Sequence, residues 1–251
     1  MLVSIVGVRG LPPNWNVQLN LHLDRGSTLT GYYSWFIIID MKDFNKILAL
    51  SPHTDDVELG AGGTLARWSE EGKEVFYAAF SIAEKSVPEG LPQNILEEEC
   101  KQATKSLGIK AKNLYIYKFP VRDFPKLRQD ILENLIKLRD KIKPDMVLLP
   151  SLRDVHQDHH VIAEEGIRAF KNTSLLAYEL PWNLFSFETS CLVALNQQHL
   201  DKKLKAIECY QSQKHRNYTS KEFIYGWARS SGVQINVKHA EAFEVVRWVI
   251  R

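Results

Sequence analysis

Cysteine is scarce in this sequence: three residues in 251, at positions 100, 191 and 209. None stands in a C-x-x-C pair, so the spacing excludes a thiolate zinc finger and supplies no disulfide framework. The expectation is a reduced, cytoplasmic compartment in which Cys100, Cys191 and Cys209 are small apolar residues. Long apolar runs are missing too. The stretch Tyr32 to Ile39 is far shorter than the roughly 20 residues a membrane span requires, and no basic segment leads into an apolar one as a secretory signal does. Charge of one sign is also lacking. Lys and Arg number 32 against 30 Asp and Glu, a net charge of +2 dispersed along the chain, which gives no basic patch for nucleic acid. Neither G-x-S-x-G nor G-x-G-x-x-G occurs, so a serine-nucleophile elbow and a dinucleotide loop are unsupported. No internal repeat or low-complexity tract stands out.

What remains is ordinary globular material, 45% hydrophobic and 25% charged, enough for one sizeable core. From Met41 onward the pattern alternates. Residues 47–51, 74–80, 114–117 and 146–149 read as short buried strands, and 64–71, 92–107 and 126–141 as helices between them. Further strands are expected at 175–180, 191–195 and 245–250, with a helix at 200–211. Short apolar strands alternating with amphipathic helices predict an α/β fold: a Rossmann-like three-layer sandwich around a mostly parallel sheet. Residues 1–40 lack this periodicity and are expected to be an extension outside a domain spanning 41–251. Their stretch VSIVGVRGLPPNW resembles the opening strand and glycine-rich turn of certain bacterial glycosyltransferases.

In an open parallel sheet, ligands sit beyond the carboxyl ends of the strands. Two polar clusters fall there. SPHTDDVELGAGGT, residues 51–64, follows the first strand, and SLRDVHQDHH, residues 151–160, follows the strand at 146–149. Adjacent carboxylates such as Asp55 and Asp56 repel each other unless something neutralises them, and a bound cation would do so. A lone Asp-Asp pair is ordinarily a turn or helix cap, and GAGG ordinarily a tight strand-to-helix connection. Two such clusters, each after a buried strand, favour a metal. A catalytic zinc takes three His or carboxylate ligands and keeps a fourth position for water. His53 and Asp56, three apart, suit one ion, with His159 or His160 as the third ligand. Asp55 would then be free as a general base, His156 could move protons or stabilise negative charge, and Asp158 or Asp154 could hold an imidazole in its working tautomer. Gly60, Gly62 and Gly63 could bring backbone amides to an anion.

The pair PHTDDVELGAGGTLA and DVHQDHH resembles the signature of the PIG-L/LmbE-type zinc-dependent N-deacetylases, a PHPDD-type loop followed by an HxDH loop. EEECKQATKSLGI is similar to a family helix ending in Leu-Gly, AIECYQSQ to a late helix ending near Ser-Gln, and HAEAFEVVR to a closing Glu-Ala-Phe segment, so the resemblance covers roughly 45–250. It implies zinc held by His53, Asp56 and His159, Asp55 as general base, and a protonated His156 assisting at the oxyanion and leaving group. It leaves His160 outside the ligand set. Thr54 stands where the family usually has proline, and Leu96 where members acting on N-acetylglucosamine conjugates often carry arginine. Glu84, Lys85, Arg122 and Arg153 are the nearby polar candidates for substrate contact.

The function implied is removal of an N-acetyl group from an N-acetylglucosamine-type sugar or its conjugate by a metal-activated water, with zinc, or iron(II) on the same donors, as cofactor. The partner implied is a small amino-sugar substrate, with neither nucleic acid nor membrane, and a homo-oligomer, since such proteins often assemble. The alternatives are a metallohydrolase of another amide or ester, and a non-enzymatic sugar- or nucleotide-binding module, which would leave both His/Asp clusters without a purpose.

Overall fold

Strands β1 (Lys46–Ser51), β2 (Glu74–Ala79), β4 (Met146–Pro150) and β5 (Ser174–Tyr178) are apolar nearly throughout and buried over almost their whole length. Such runs are what a parallel sheet covered on both faces requires. The computed structural model describes residues 44–250; the expectation for residues 1–40 lies outside them. With β3 (Leu114–Ile116), β6 (Cys191–Leu195) and β7 (His239–Arg247), the strands form one seven-stranded sheet in the order β3-β2-β1-β4-β5-β7-β6. β7 alone runs opposite in direction to the other six strands.

Successive strand residues point to opposite faces, and the core divides accordingly. Ile47, Ala49, Val75, Tyr77, Met146, Leu148 and Tyr178 face helices α1 (Asp56–Glu70), α2 (Ile95–Ser106), α5 (Gln197–Glu208) and α6 (Lys221–Val233). Leu48, Leu50, Phe76, Ala78, Val147 and Leu149 face α3 (Arg128–Ile142) and α4 (Gln157–Ala169). On α3 the residues Ile131, Leu135, Leu138 and Ile142 supply the buried stripe, at the helical spacing seen in the sequence.

Several boundaries differ from the sequence expectation. Helix α1 begins at Asp56, eight residues before the expected start, because the glycines lie inside it rather than in a turn. A Cβ on Gly60 would stand 2.4 Å from Tyr178 Cδ2, and one on Gly63 2.5 Å from Leu195 Cδ1. Their bareness lets α1 press onto the sheet. The Gly63 and Thr64 amides do meet an anion, at 3.0 and 2.6 Å, but it is the chain's own buried Glu241, which Lys203 Nζ also contacts at 2.7 Å. Helices α4 and α6 have no counterpart among the expected elements. Strand β7 starts six residues before the expected 245, since its first half is small and polar, His-Ala-Glu-Ala, yet fully buried between β5 and β6.

Candidate active site

Strand β1 connects to β2 on one side of the sheet, and β4 lies on its other side. The chain therefore reverses its winding direction between β1 and β4, and the crevice at their carboxyl ends is where such folds bind ligands. Both polar clusters open into this crevice. After β1 the chain turns through His53 and Asp55 into α1; after β4 it runs through Asp154 and His156 into α4. The second loop is tied down by Asp154, whose Oδ1 accepts from the His156 amide at 2.8 Å, and by His156, whose Nδ1 accepts from the Asp158 amide at 3.2 Å and so caps α4. The first loop is fastened from below. The Thr54 carbonyl accepts from the hydroxyls of Tyr77 and Tyr210, both of which also bond the buried Glu58 carboxyl. Burial pushes that carboxyl up to about 8, against the pull of the two tyrosine hydrogen bonds, so it is neutral at pH 7.

Three ligand-type atoms converge. His53 Nδ1 lies 3.1 Å from Asp56 Oδ2, His159 Nε2 lies 3.3 Å from the same oxygen, and the two nitrogens are 3.2 Å apart. A tetrahedral ion with ligand bonds of about 2.0–2.1 Å has neighbouring ligands about 3.3 Å apart, so this triangle has the dimensions of one face of such a site. Each imidazole is held from behind by a carboxylate: Asp158 Oδ2 at 3.0 Å from His53 Nε2, and Asp154 Oδ2 at 2.7 Å from His159 Nδ1. Such pairs fix the tautomer and orientation of ligating histidines. Asp158 thus serves the His53 ring, while His156 meets only its backbone. His156 also brings a ring nitrogen within 4.8 Å of nitrogens on His53 and His159, a looser grouping than the triangle with Asp56. His160 is exposed and turned toward Glu164 at 3.1 Å.

The charges follow the geometry. Burial would lower both imidazoles, but Asp56 and the carboxylates behind them prevail, raising His53 to about 9 and His159 to about 10. Burial would likewise raise Asp56, yet the two histidines hold it well below the usual carboxylate range. Asp55 goes the other way: burial first, and Asp56 second, push it up to about 6. His156 is pushed down to about 4 by burial and by the charges of His159 and His53. This corrects the expectation of a protonated His156. Its ring is neutral at pH 7, and with Nδ1 accepting from Asp158 the proton belongs on Nε2.

The triangle opens into a cleft of about 200 Å³ lined also by Asp55, Leu96, Trp182, Gln213, Arg216 and Tyr218. Of the substrate-contact expectations, none lines it. Arg153 is bound to Glu244 at 2.6 Å and Glu188 at 3.1 Å; Lys85 is bound to Asp123 at 3.1 Å; Arg122 is exposed and offers its backbone to Asp158 and Gln157. Glu84 sits beside the lining residues Ala83 and Ser86 without joining them. Leu96, singled out in the sequence, does form the wall and is 3% exposed. Trp182, Arg216 and Tyr218 were not singled out. They stand far from both motifs in the chain, although Tyr210 and Gln213 lie within or directly beside the quoted AIECYQSQ segment.

Residues 48–170 match the family profile described as PIG-L, GlcNAc-PI de-N-acetylase. Among curated proteins, the uncharacterized deacetylase YaiS of Escherichia coli is 27% identical over 172 residues, 66% of this chain and 90% of its own. The diacetylchitobiose deacetylase of Thermococcus kodakarensis is 25% identical over 194 residues, 68% of this chain and 71% of its own. Among solved structures, the N,N'-diacetylchitobiose deacetylase from Pyrococcus horikoshii superposes with a TM-score of 0.70 over 82% of this chain and 85% of that one, at 23% identity.

Proposed function

We propose that this chain, a PIG-L/LmbE-type protein by the match of residues 48–170, is a metal-dependent hydrolase that removes the acetyl group from an N-acetylglucosamine-type sugar or its conjugate. The observation that carries this reading is the triangle of His53 Nδ1, Asp56 Oδ2 and His159 Nε2, with a carboxylate of raised affinity for protons, Asp55, in the same cleft. Two nitrogens and one oxygen at this spacing fit zinc and also admit iron(II). The exposed His160, turned toward Glu164, supports leaving that residue out of the ligand set. His53, Asp56 and His159 would hold the metal, which would supply a water of lowered pKa and polarisation of the amide carbonyl.

The remaining work falls to the chain itself. Asp55, poised near 6, is ionised at neutral pH and basic enough to take a proton from the attacking water. His156, neutral with its proton on Nε2, donates a hydrogen bond to the amide oxygen as negative charge gathers there; one well-placed donor of this kind contributes about 3 kcal/mol. The proton on Asp55 then passes to the departing amine, and acetate and the free amino sugar result. Asp154 and Asp158 hold the rings of His159 and His53 in the orientation in which they would ligate the metal. No helix among the described residues is long and apolar enough to cross a membrane.

Elemental analysis of the purified wild type and of His159→Ala, run with acetate release from N-acetylglucosamine conjugates, tests the reading. About one zinc or iron per wild-type chain, lost in the variant together with acetate release, is the expected result. Metal without acetate release would move the chain to another amide or ester. No metal in either protein would remove the hydrolase.

A further inference from the structure

Residues 120–124, Pro-Val-Arg-Asp-Phe, form a turn beside the His53, Asp56 and His159 triangle. The Asp123 amide closes the turn on the Pro120 carbonyl at 3.2 Å, and Arg122, at its third position, has a φ of +71°. That position asks for glycine in a turn of this kind, because a Cβ there is crowded. The Arg122 side chain is exposed, so burial gives nothing in return for the strain. Of the four non-glycine residues with positive φ among those described, Lys143 ends α3 and Asn236 lies in the turn after α6. The other two border the cleft: Ala83 lines it, and Arg122 follows the lining residue Val121. Backbone strain kept at such a place points to a task for the backbone itself.

Both polar groups of the Arg122 backbone are taken by consecutive residues at the start of α4. Its amide donates to Asp158 Oδ2 at 2.7 Å, and its carbonyl accepts from Gln157 Nε2. The same Asp158 oxygen lies 3.0 Å from His53 Nε2. Asp158 Oδ1 is buried and has no hydrogen-bond partner among the described residues. Apart from His53 itself, the Arg122 amide is therefore what directs this carboxylate. Its counterpart behind His159 is held more firmly. Asp154 Oδ1 accepts from the His156 amide at 2.8 Å, and its Oδ2 accepts from Asn183 Nδ2 at 3.3 Å. The turn meets His53 a second time through the buried Phe124, whose ring centroid lies 6.2 Å from the imidazole. A return of Arg122 to negative φ, as in a type I turn, would flip the Val121–Arg122 peptide and aim its N–H away from Asp158.

We propose that Gln157 is a positioning residue for the metal centre: by holding the Arg122 carbonyl it locks the turn in the form that keeps an N–H on Asp158 and Asp158 on His53. Arg122 serves through its backbone and not through its guanidinium. The inference rests on the reading of His53, Asp56 and His159 as metal ligands.

Zinc dissociation constants, measured on metal-free protein by competition with a chromophoric chelator, test this without turnover. The Tm of the same metal-free samples reports the fold. Gln157→Met keeps the length of the side chain and removes its donor. It is expected to weaken zinc by about three- to tenfold, near the low end of what loss of a ligand's supporting partner costs. As an exposed substitution it should leave the metal-free Tm within about 2 °C of the wild type. Gln157→Arg, which restores a donor, should recover most of the lost affinity. Arg122→Gly and Arg122→Val both remove the guanidinium, so a difference between them reports the backbone. Glycine takes positive φ freely and should keep the wild-type affinity, whereas valine resists it and should weaken zinc as Gln157→Met does. In an Asp158→Ala background the link to His53 is already cut, and Gln157→Met should change affinity by less than about twofold. Unchanged zinc affinity in Gln157→Met, equal affinity in the two Arg122 variants, or a Gln157→Met effect that survives in Asp158→Ala would overturn the proposal. So would a loss of affinity in Gln157→Met matched by a lower metal-free Tm, because Gln157 would then support only the fold of α4. Those results would leave the metal centre standing. A wild type that binds no zinc would instead sink the metal reading, and this inference with it.

Discussion

Asp55 and Asp56 share a backbone turn but meet opposite surroundings. Asp56 faces two imidazoles and stays charged; Asp55 is buried beside its neighbour's charge and is pushed up to about 6. Environments that drive two adjacent carboxyls apart in this way mark a division of labour, one group holding charge and the other exchanging a proton. Substitution by asparagine should therefore separate them. Asp55→Asn is expected to keep its metal and lose turnover by about 10²–10⁴-fold, the usual worth of a general base. Asp56→Asn should lose the metal as well. In the wild type, kcat/KM should rise with pH through about 6, because the base works only when ionised and Asp55 is ionised above that value. Metal content of the two variants and a pH–rate profile of the wild type check both halves. An Asp55→Asn protein without metal would mean that base and ligand have been exchanged.

At the scale of the element, the glycines of α1 are decided by contact. A Cβ on Gly60 would enter the Tyr178 ring, whose hydroxyl is itself anchored to the Leu50 carbonyl at 3.0 Å, so the ring has little room to retreat. Gly60→Ala should destabilise the fold by about 1–3 kcal/mol, the usual result of overpacking, although alanine is the better helix former. Denaturant unfolding measures it, and a neutral or stabilising outcome would refute the close approach. The same glycines show where the sequence was legible and where it was not. Strands β1, β2, β4 and β5 were visible because burial on both faces leaves a nearly unbroken apolar signature. The two polar loops were visible because clustered His and Asp directly after such strands stand at the carboxyl ends of the sheet, where ligands bind in such folds. The start of α1 was hidden because GAGG carries no amphipathic period and reads as a turn until the neighbouring Tyr178 and Leu195 are in place. Helix α6, interrupted by Gly226 and Gly232, was hidden for a similar reason. Arg216 and Trp182 could not be found from spacing at all: they reach the cleft from the segment before α6 and the loop after β5, and only the packing of those elements brings them together.

On the scale of the whole molecule, the triangle joins loops that follow two adjacent central strands, β1 and β4, so whatever occupies it bears on global stability. Without metal, the occupants are protons. His53 and His159 are raised to about 9 and 10 in the fold against an unfolded value of 6.5. Their contribution is thus complete below pH 6.5 and is lost as pH rises through 9 and 10. With metal the dependence reverses. The ligating imidazoles must be neutral, so binding displaces their protons and affinity climbs about tenfold per pH unit for each proton released. A ligand that binds only the folded state stabilises by about 2.7 kcal/mol at a hundred times its Kd, which for a domain of this size raises Tm by about 5–10 °C. The difference in Tm between zinc-loaded and chelated protein should therefore be several degrees at pH 7 and wider at pH 9, the chelated form falling while the loaded form holds. Melting curves with zinc and with chelator at the two pH values measure it. A difference that narrows with pH would show that the metal does not replace the protons of His53 and His159, and the ligand triangle would have to be redrawn.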